Sequence, residues 1–76
     1  ETFKTRLKEL RLSKKWTQSQ LAAHLNTTQD TISLWELGKS YPDMRAIIAL
    51  CVLFDVSSDY LLGLSHTKPV GKVESV

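Results

Sequence analysis

Side chains that commonly carry catalysis are scarce in this sequence. His24 and His66 are the two histidines, and Cys51 is the single cysteine. They show no metal-ligand spacing. No glycine-rich run of the phosphate-cradling kind occurs. Acid–base chemistry needs a perturbed titratable group in a pocket, and so short a chain offers little pocket. His24 therefore reads as a surface residue. Cys51, in an apolar stretch, reads as inert packing. The expectation is no enzyme, no metal, no cofactor and no small-molecule substrate. Trp16, Trp35 and Phe54 have the side chains for stacking on bases, but stacking platforms expose their aromatics on one surface. The spacing of these three fits a core instead.

Charge is the next chemical signal. The net charge is +2, a weak indicator, yet its distribution is uneven. Lys4, Arg6, Lys8, Arg11, Lys14 and Lys15 crowd the first fifteen residues against Glu1 and Glu9, whereas the stretch from Asp43 to Tyr60 holds Arg45 against Asp43, Asp55 and Asp59. A basic end and an acidic end are expected when one face meets a polyanion. A solvated helix face of mixed charge has the same composition, so charge alone does not decide.

Seventy-six residues, 42% hydrophobic and 24% charged, suit one small soluble domain of modest stability unless it dimerises. With one cysteine it needs no oxidising compartment, and neither a membrane-spanning run nor a signal-peptide pattern is present. A cytoplasmic location is the expectation. Glu1 opens the chain where Met would begin a natural one, as in a trimmed or excised domain.

The elements that position these groups read as helices, and the fold class is all-α. Phe3, Leu7 and Leu10 share one face of a first helix ending near Ser13. Thr17 and Gln20 form a capping box, with Trp16 and Leu21 as its hydrophobic staple, opening a second helix at Gln18. That helix stops near Leu25, where Asn26 tolerates a left-handed backbone. A third helix starts at once, capped by Thr28 or Thr27, and ends at Gly38 with Ile32 and Trp35 inward. After Tyr41-Pro42, Asp43 caps a fourth helix carrying Ile47, Leu50, Cys51 and Phe54. Val56, Ser57 and Leu61 repeat the staple and cap for a short fifth helix ending near Gly63. The domain is expected over residues 1–64, with 65–76 a flexible tail or linker.

Almost nothing separates the second and third helices. So short a turn forces a steep crossing, and Ala22 or Ala23 is small enough to allow close approach. Helix pairs in ordinary bundles are joined equally briefly. The residues themselves are more specific. Arg6-Leu7-Lys8-Glu9-Leu10-Arg11, Trp16-Thr17-Gln18-Ser19-Gln20-Leu21-Ala22, and Thr28 through Ile32-Ser33-Leu34-Trp35-Glu36-Leu37-Gly38-Lys39 resemble the phage-repressor (Cro/repressor, Xre-like) helix-turn-helix family. Pro42 and Val56-Ser57-Ser58-Asp59-Tyr60-Leu61-Leu62-Gly63 continue the resemblance, which spans residues 3 to 63. It implies a compact five-helix, lambda-repressor-like domain. It also implies a sequence-specific regulator, by family habit a repressor, that binds double-stranded operator DNA as a homodimer on inverted repeats.

The resemblance assigns roles residue by residue. Gln29 is the leading base reader, suited to adenine. Asp30, Ser33 and Leu34 are further base-reading candidates: Asp30 toward cytosine or as a cap, Leu34 toward a thymine methyl or a neighbouring helix. Asp30 and Leu34 depart from the basic or amide side chains frequent in relatives. Thr17, Gln18, Thr28, Thr31, Lys39, Ser40 and Tyr41 are the phosphate-binding candidates. Arg11 and Glu36 match an ion pair that joins the first and third helices. Val56, Leu61, Leu62 and Leu64 are expected to form a dimer surface, and the same surface would serve a protein-interaction module built on this fold.

Overall fold

The computed structural model describes residues 2–64. It contains α1 (Phe3–Ser13), α2 (Gln18–Leu25), α3 (Gln29–Leu37), α4 (Met44–Phe54) and α5 (Ser58–Leu61). Among the described residues there is no strand. The expected tail over 65–76, and His66 within it, lie outside the described residues.

Four of the five helices start on a side-chain cap. Thr17, Thr28, Asp43 and Ser57 accept hydrogen bonds from the backbone N–H groups of Gln20, Thr31, Ala46 and Tyr60. Each cap satisfies a donor that the first helical turn leaves without a partner. At α2 the box is complete, because the Gln20 Oε1 accepts from the Thr17 N–H at 2.8 Å. Thr2 precedes α1 without a side-chain cap, so that helix depends more on its packing.

The stops are equally local. Asn26 (φ 58°) ends α2 and Gly38 (φ 76°) ends α3, both in the left-handed region. The Thr27 N–H then bonds back to the Ala22 carbonyl at 2.9 Å, closing α2. Lys15 and Asp55 take the same conformation after α1 and α4, at φ 61° and 56°.

Each helix supplies one fully buried aliphatic side chain: Leu7, Leu21, Ile32, Leu50 and Leu61. They meet at the centre of one core with Phe3, Leu10, Ala22, Trp35, Phe54 and Val56. Burying each such side chain is worth about 1.5–3 kcal/mol. Trp16, Ile47 and Cys51 pack at the edge of this core, half-buried. Burial pushes the Cys51 thiol above its ordinary pKa, away from the reactive thiolate. Ala22 is buried and Ala23 exposed, so Ala22 is the small residue at the α2–α3 crossing.

Two members of the expected dimer surface are corrected here. Val56 and Leu61 are 6% and 0% exposed within the single chain. The turn into α5 folds Val56 inward, and α5 packs on α1 and α4 through Leu61. Leu62 and Leu64 do face outward. Arg6 also differs from the solvated charge its neighbours suggest. Its guanidinium is buried, donates from Nη1 to the Tyr60 carbonyl at 2.7 Å, and lies 3.9 Å from the Tyr60 ring centroid. It thus ties α1 to the end of α5.

Candidate nucleic-acid interface

The outer face of α3 follows from helical geometry. Ile32 and Trp35 point into the core, which turns Asp30, Leu34 and Leu37 together toward solvent. Leu34 is 42% exposed, so it is not absorbed by a neighbouring helix. Leu37, exposed on the same face, was not singled out as a contact residue. The signal was available, since Asp30, Leu34 and Leu37 stand at i, i+4 and i+7. Ser33 flanks this face, half-buried, and Gln29 is exposed in the first turn.

The N-terminus of α2 lies beside that of α3. Gln29 Nε2 donates to Gln18 Oε1 at 2.6 Å. Gln18 Nε2 in turn donates to Glu36 Oε1 at 3.1 Å. Glu36 is held by Arg11 at both oxygens, from Nε to Oε2 at 2.7 Å and from Nη2 to Oε1 at 3.0 Å. The third Arg11 donor, Nη1, reaches the Trp16 carbonyl at 2.8 Å. A continuous polar chain therefore runs from the interior to the surface: Arg11, Glu36, Gln18, Gln29.

The Arg11–Glu36 pair sits at the α1–α3 junction with side chains only 9% and 5% exposed. Its paired, fork-shaped geometry is the strong form of such a contact. Donating hydrogen bonds to the Glu36 carboxylate raises the Arg11 pKa further, against the opposing effect of burial. Arg11 is therefore charged at any ordinary pH. No described buried side-chain polar atom lacks a partner.

The expected phosphate contacts fall into two groups. Thr17 and Thr28 spend their hydroxyl oxygens on caps, and the Thr28 hydroxyl also meets that of Thr31 at 3.0 Å. The first turn of a helix leaves backbone N–H groups without an intrahelical partner, and two dipole ends brought together by the Gln18–Gln29 bond favour an anion. Lys39, Ser40 and Tyr41 follow the α3 stop. Lys39 and Tyr41 are exposed and Ser40 is half-buried. The Tyr41 ring leans against Phe3, with centroids 6.1 Å apart. Tyr41 also borders a groove of about 320 Å³ with Pro42, Met44, Ile47, Ser58 and Leu62, so it stands between the loop after α3 and α4.

His24 is exposed, and its ring stacks on Trp16 with centroids 4.1 Å apart. Among the described residues no cluster of His, Cys, Asp and Glu is arranged to hold a metal. No described helix is long and apolar enough to cross a membrane.

Short α2, a tight turn, and an α3 with an outward polar and apolar face define a helix-turn-helix DNA-binding domain. A helix-turn-helix family model matches residues 7–61, and the chain belongs to that family, in its phage-repressor, Xre-like branch. The transcriptional activator BcrR of Enterococcus faecalis is 42% identical over 60 residues, covering 79% of this chain and 29% of BcrR. The prophage-derived regulator YonR of Bacillus subtilis is 35% identical over 66 residues, covering 87% of this chain and 61% of YonR. The chain thus spans less than two thirds of these curated relatives. The P22 c2 repressor, solved with a synthetic operator, superposes with a TM-score of 0.79 at 26% identity, covering 86% of this chain and 98% of that one. A transcriptional regulator from Listeria innocua gives 0.78 at 27% identity, covering 99% and 63%. These similarities are to transcriptional regulators and their DNA-binding domains, not to enzymes.

Proposed function

We propose that this domain binds a specific double-stranded operator as a transcription regulator, in the manner of a repressor. The third helix enters the major groove, and Gln29 with Asp30, Ser33 and Leu34 reads base edges. Leu37 extends the same face. The observation that carries this reading is the tethered Gln29 amide at the exposed start of α3. A reader whose amide is already oriented loses less freedom on binding than a free glutamine does. Gln18, the two helix N-termini and Lys39 hold phosphates, with Thr17, Thr28, Thr31, Ser40 and Tyr41 around them.

Two copies associate across α4 and α5, and their half-sites lie about one helical turn apart, ~34 Å, on an inverted repeat. Exposed apolar side chains support this: Met44, Ile48 and Val52 form a stripe on α4, and Leu62 and Leu64 follow α5. Apolar side chains grouped on one side of a small domain mark a contact surface.

The test is selection of sites from a random duplex pool. The recovered site and a scrambled duplex are then titrated at two salt concentrations, with the wild type and Gln29→Ala. An inverted repeat, preferred over the scramble and less so by Gln29→Ala, is the expected result. Weak, salt-sensitive binding without enrichment, unchanged in Gln29→Ala, sinks the reading.

A further inference from the structure

We propose that Glu36 is a positioning residue for base recognition: acting through Gln18, its carboxylate dictates which end of the Gln29 amide faces a base. The inference rests on the reading of Gln29 as a base reader and adds what sets its polarity.

A glutamine amide is nearly symmetric in shape but not in chemistry. One end accepts and the other donates. To read adenine it must offer its oxygen to N6 and its nitrogen to N7. Turned over, it sets its oxygen against the N7 acceptor and its nitrogen against the N6 donor. The choice between the two orientations is therefore a specificity decision.

Here a charge makes that choice from a distance. Glu36 is ionised, gripped by Arg11, and can only accept. Gln18 must turn its nitrogen toward Glu36 Oε1, as it does at 3.1 Å. That leaves Gln18 Oε1 facing α3. Gln29 must then turn its own nitrogen toward that oxygen, as it does at 2.6 Å. Its carbonyl oxygen and second N–H are left for a ligand, in one fixed order. Glu36, with its side chain 5% exposed, takes no part in the outer surface itself. Its influence is carried by two amides, each of which loses its fixed orientation if the carboxylate at the inner end is lost.

The test compares the wild-type chain with Glu36→Gln, ¹⁵N-labelled, by side-chain amide NMR without DNA and by duplex titration. The duplexes are the selected site and its variant at the base pair whose preference Gln29→Ala removes. In the wild type the Gln29 amide protons are expected to be strongly inequivalent, one of them protected from exchange. In Glu36→Gln they should move toward the values of a free amide. The preference for the selected base pair should fall by roughly tenfold.

A folded Glu36→Gln with unchanged Gln29 amide signals and unchanged preference overturns the proposal. So does an equal loss of affinity for both duplexes, the mark of a merely structural role. Should Glu36→Gln not fold, Arg11→Met/Glu36→Met removes both charges together, a replacement that commonly leaves stability near neutral. The same loss of amide order and of preference is expected there, and its absence counts equally against the proposal. A wild type that prefers no duplex at all defeats the base-reading role itself, while the DNA-free amide signals still decide whether Glu36 sets the Gln29 orientation.

Discussion

Gln29 and Gln18, eleven positions apart, are joined by a 2.6 Å side-chain hydrogen bond that links the first turns of α3 and α2. The bond lies at the exposed ends of both helices, so its energy bears on binding more than on folding. Gln18→Ala leaves the Thr17 cap and the Arg11–Glu36 pair in place. Its thermal midpoint should stay close to wild type. Its affinity for the selected duplex should drop by about 1–2 kcal/mol, through loss of a phosphate contact and of Gln29 order. Paired melting and titration curves check this, and a variant that melts early but binds normally contradicts it.

Arg11 and Glu36 present the opposite balance. Removing Arg11 alone strands a buried carboxylate, so Arg11→Ala should cost about 3–5 kcal/mol in urea unfolding. Arg11→Met/Glu36→Met should recover most of that loss, because neither charge is then left alone. The pH dependence has a definite sign. Partnering raises the Arg11 pKa in the folded state. Its contribution is therefore fully present below the arginine range and is lost only as pH rises through it. Unfolding across the neutral range should show no loss from this group.

Gly38 ends α3 at φ 76°, and a Cβ built there would lie 3.1 Å from Lys4 Cδ. The Lys4 side chain is long and mobile enough to move aside, so the backbone conformation is the larger obstacle. Gly38→Ala should cost about 1–2 kcal/mol from left-handed strain. Adding Lys4→Ala should not restore it. Full recovery in the double variant would show that the side-chain contact, not φ, is the constraint.

Leu61 and Leu62 are neighbours with opposite surroundings, one fully buried and the other 40% exposed. Leu61→Ala should destabilise the single chain by about 2–5 kcal/mol, measured by chemical unfolding. Leu62→Ser should leave that unfolding curve nearly unchanged. It should weaken self-association, read by sedimentation at several concentrations with and without operator. Identical sedimentation of wild type and Leu62→Ser argues against self-association through the end of α5.

The sequence by itself determined the helices, their limits and the turn between α2 and α3. These depend on signals a few residues apart: a capping side chain and the N–H three positions on, an apolar period, a residue tolerant of positive φ. Thr17, Thr28, Asp43, Ser57, Asn26 and Gly38 were legible for that reason. The partnership of Arg11 with Glu36 came from resemblance, since nothing local links residues so far apart. What only the tertiary structure decided is which polar ends meet and which apolar residues are left outside. Gln18 reaches both Glu36 and Gln29 because α2 crosses α3 at one angle and register. No pattern along either helix encodes that angle alone. Val56 and Leu61 read as readily as an interface as a core, because four residues of α5 are too few to define a face. Their burial was settled by α1 and α4 packing over them, a matter of shape in three dimensions, not of spacing along the chain.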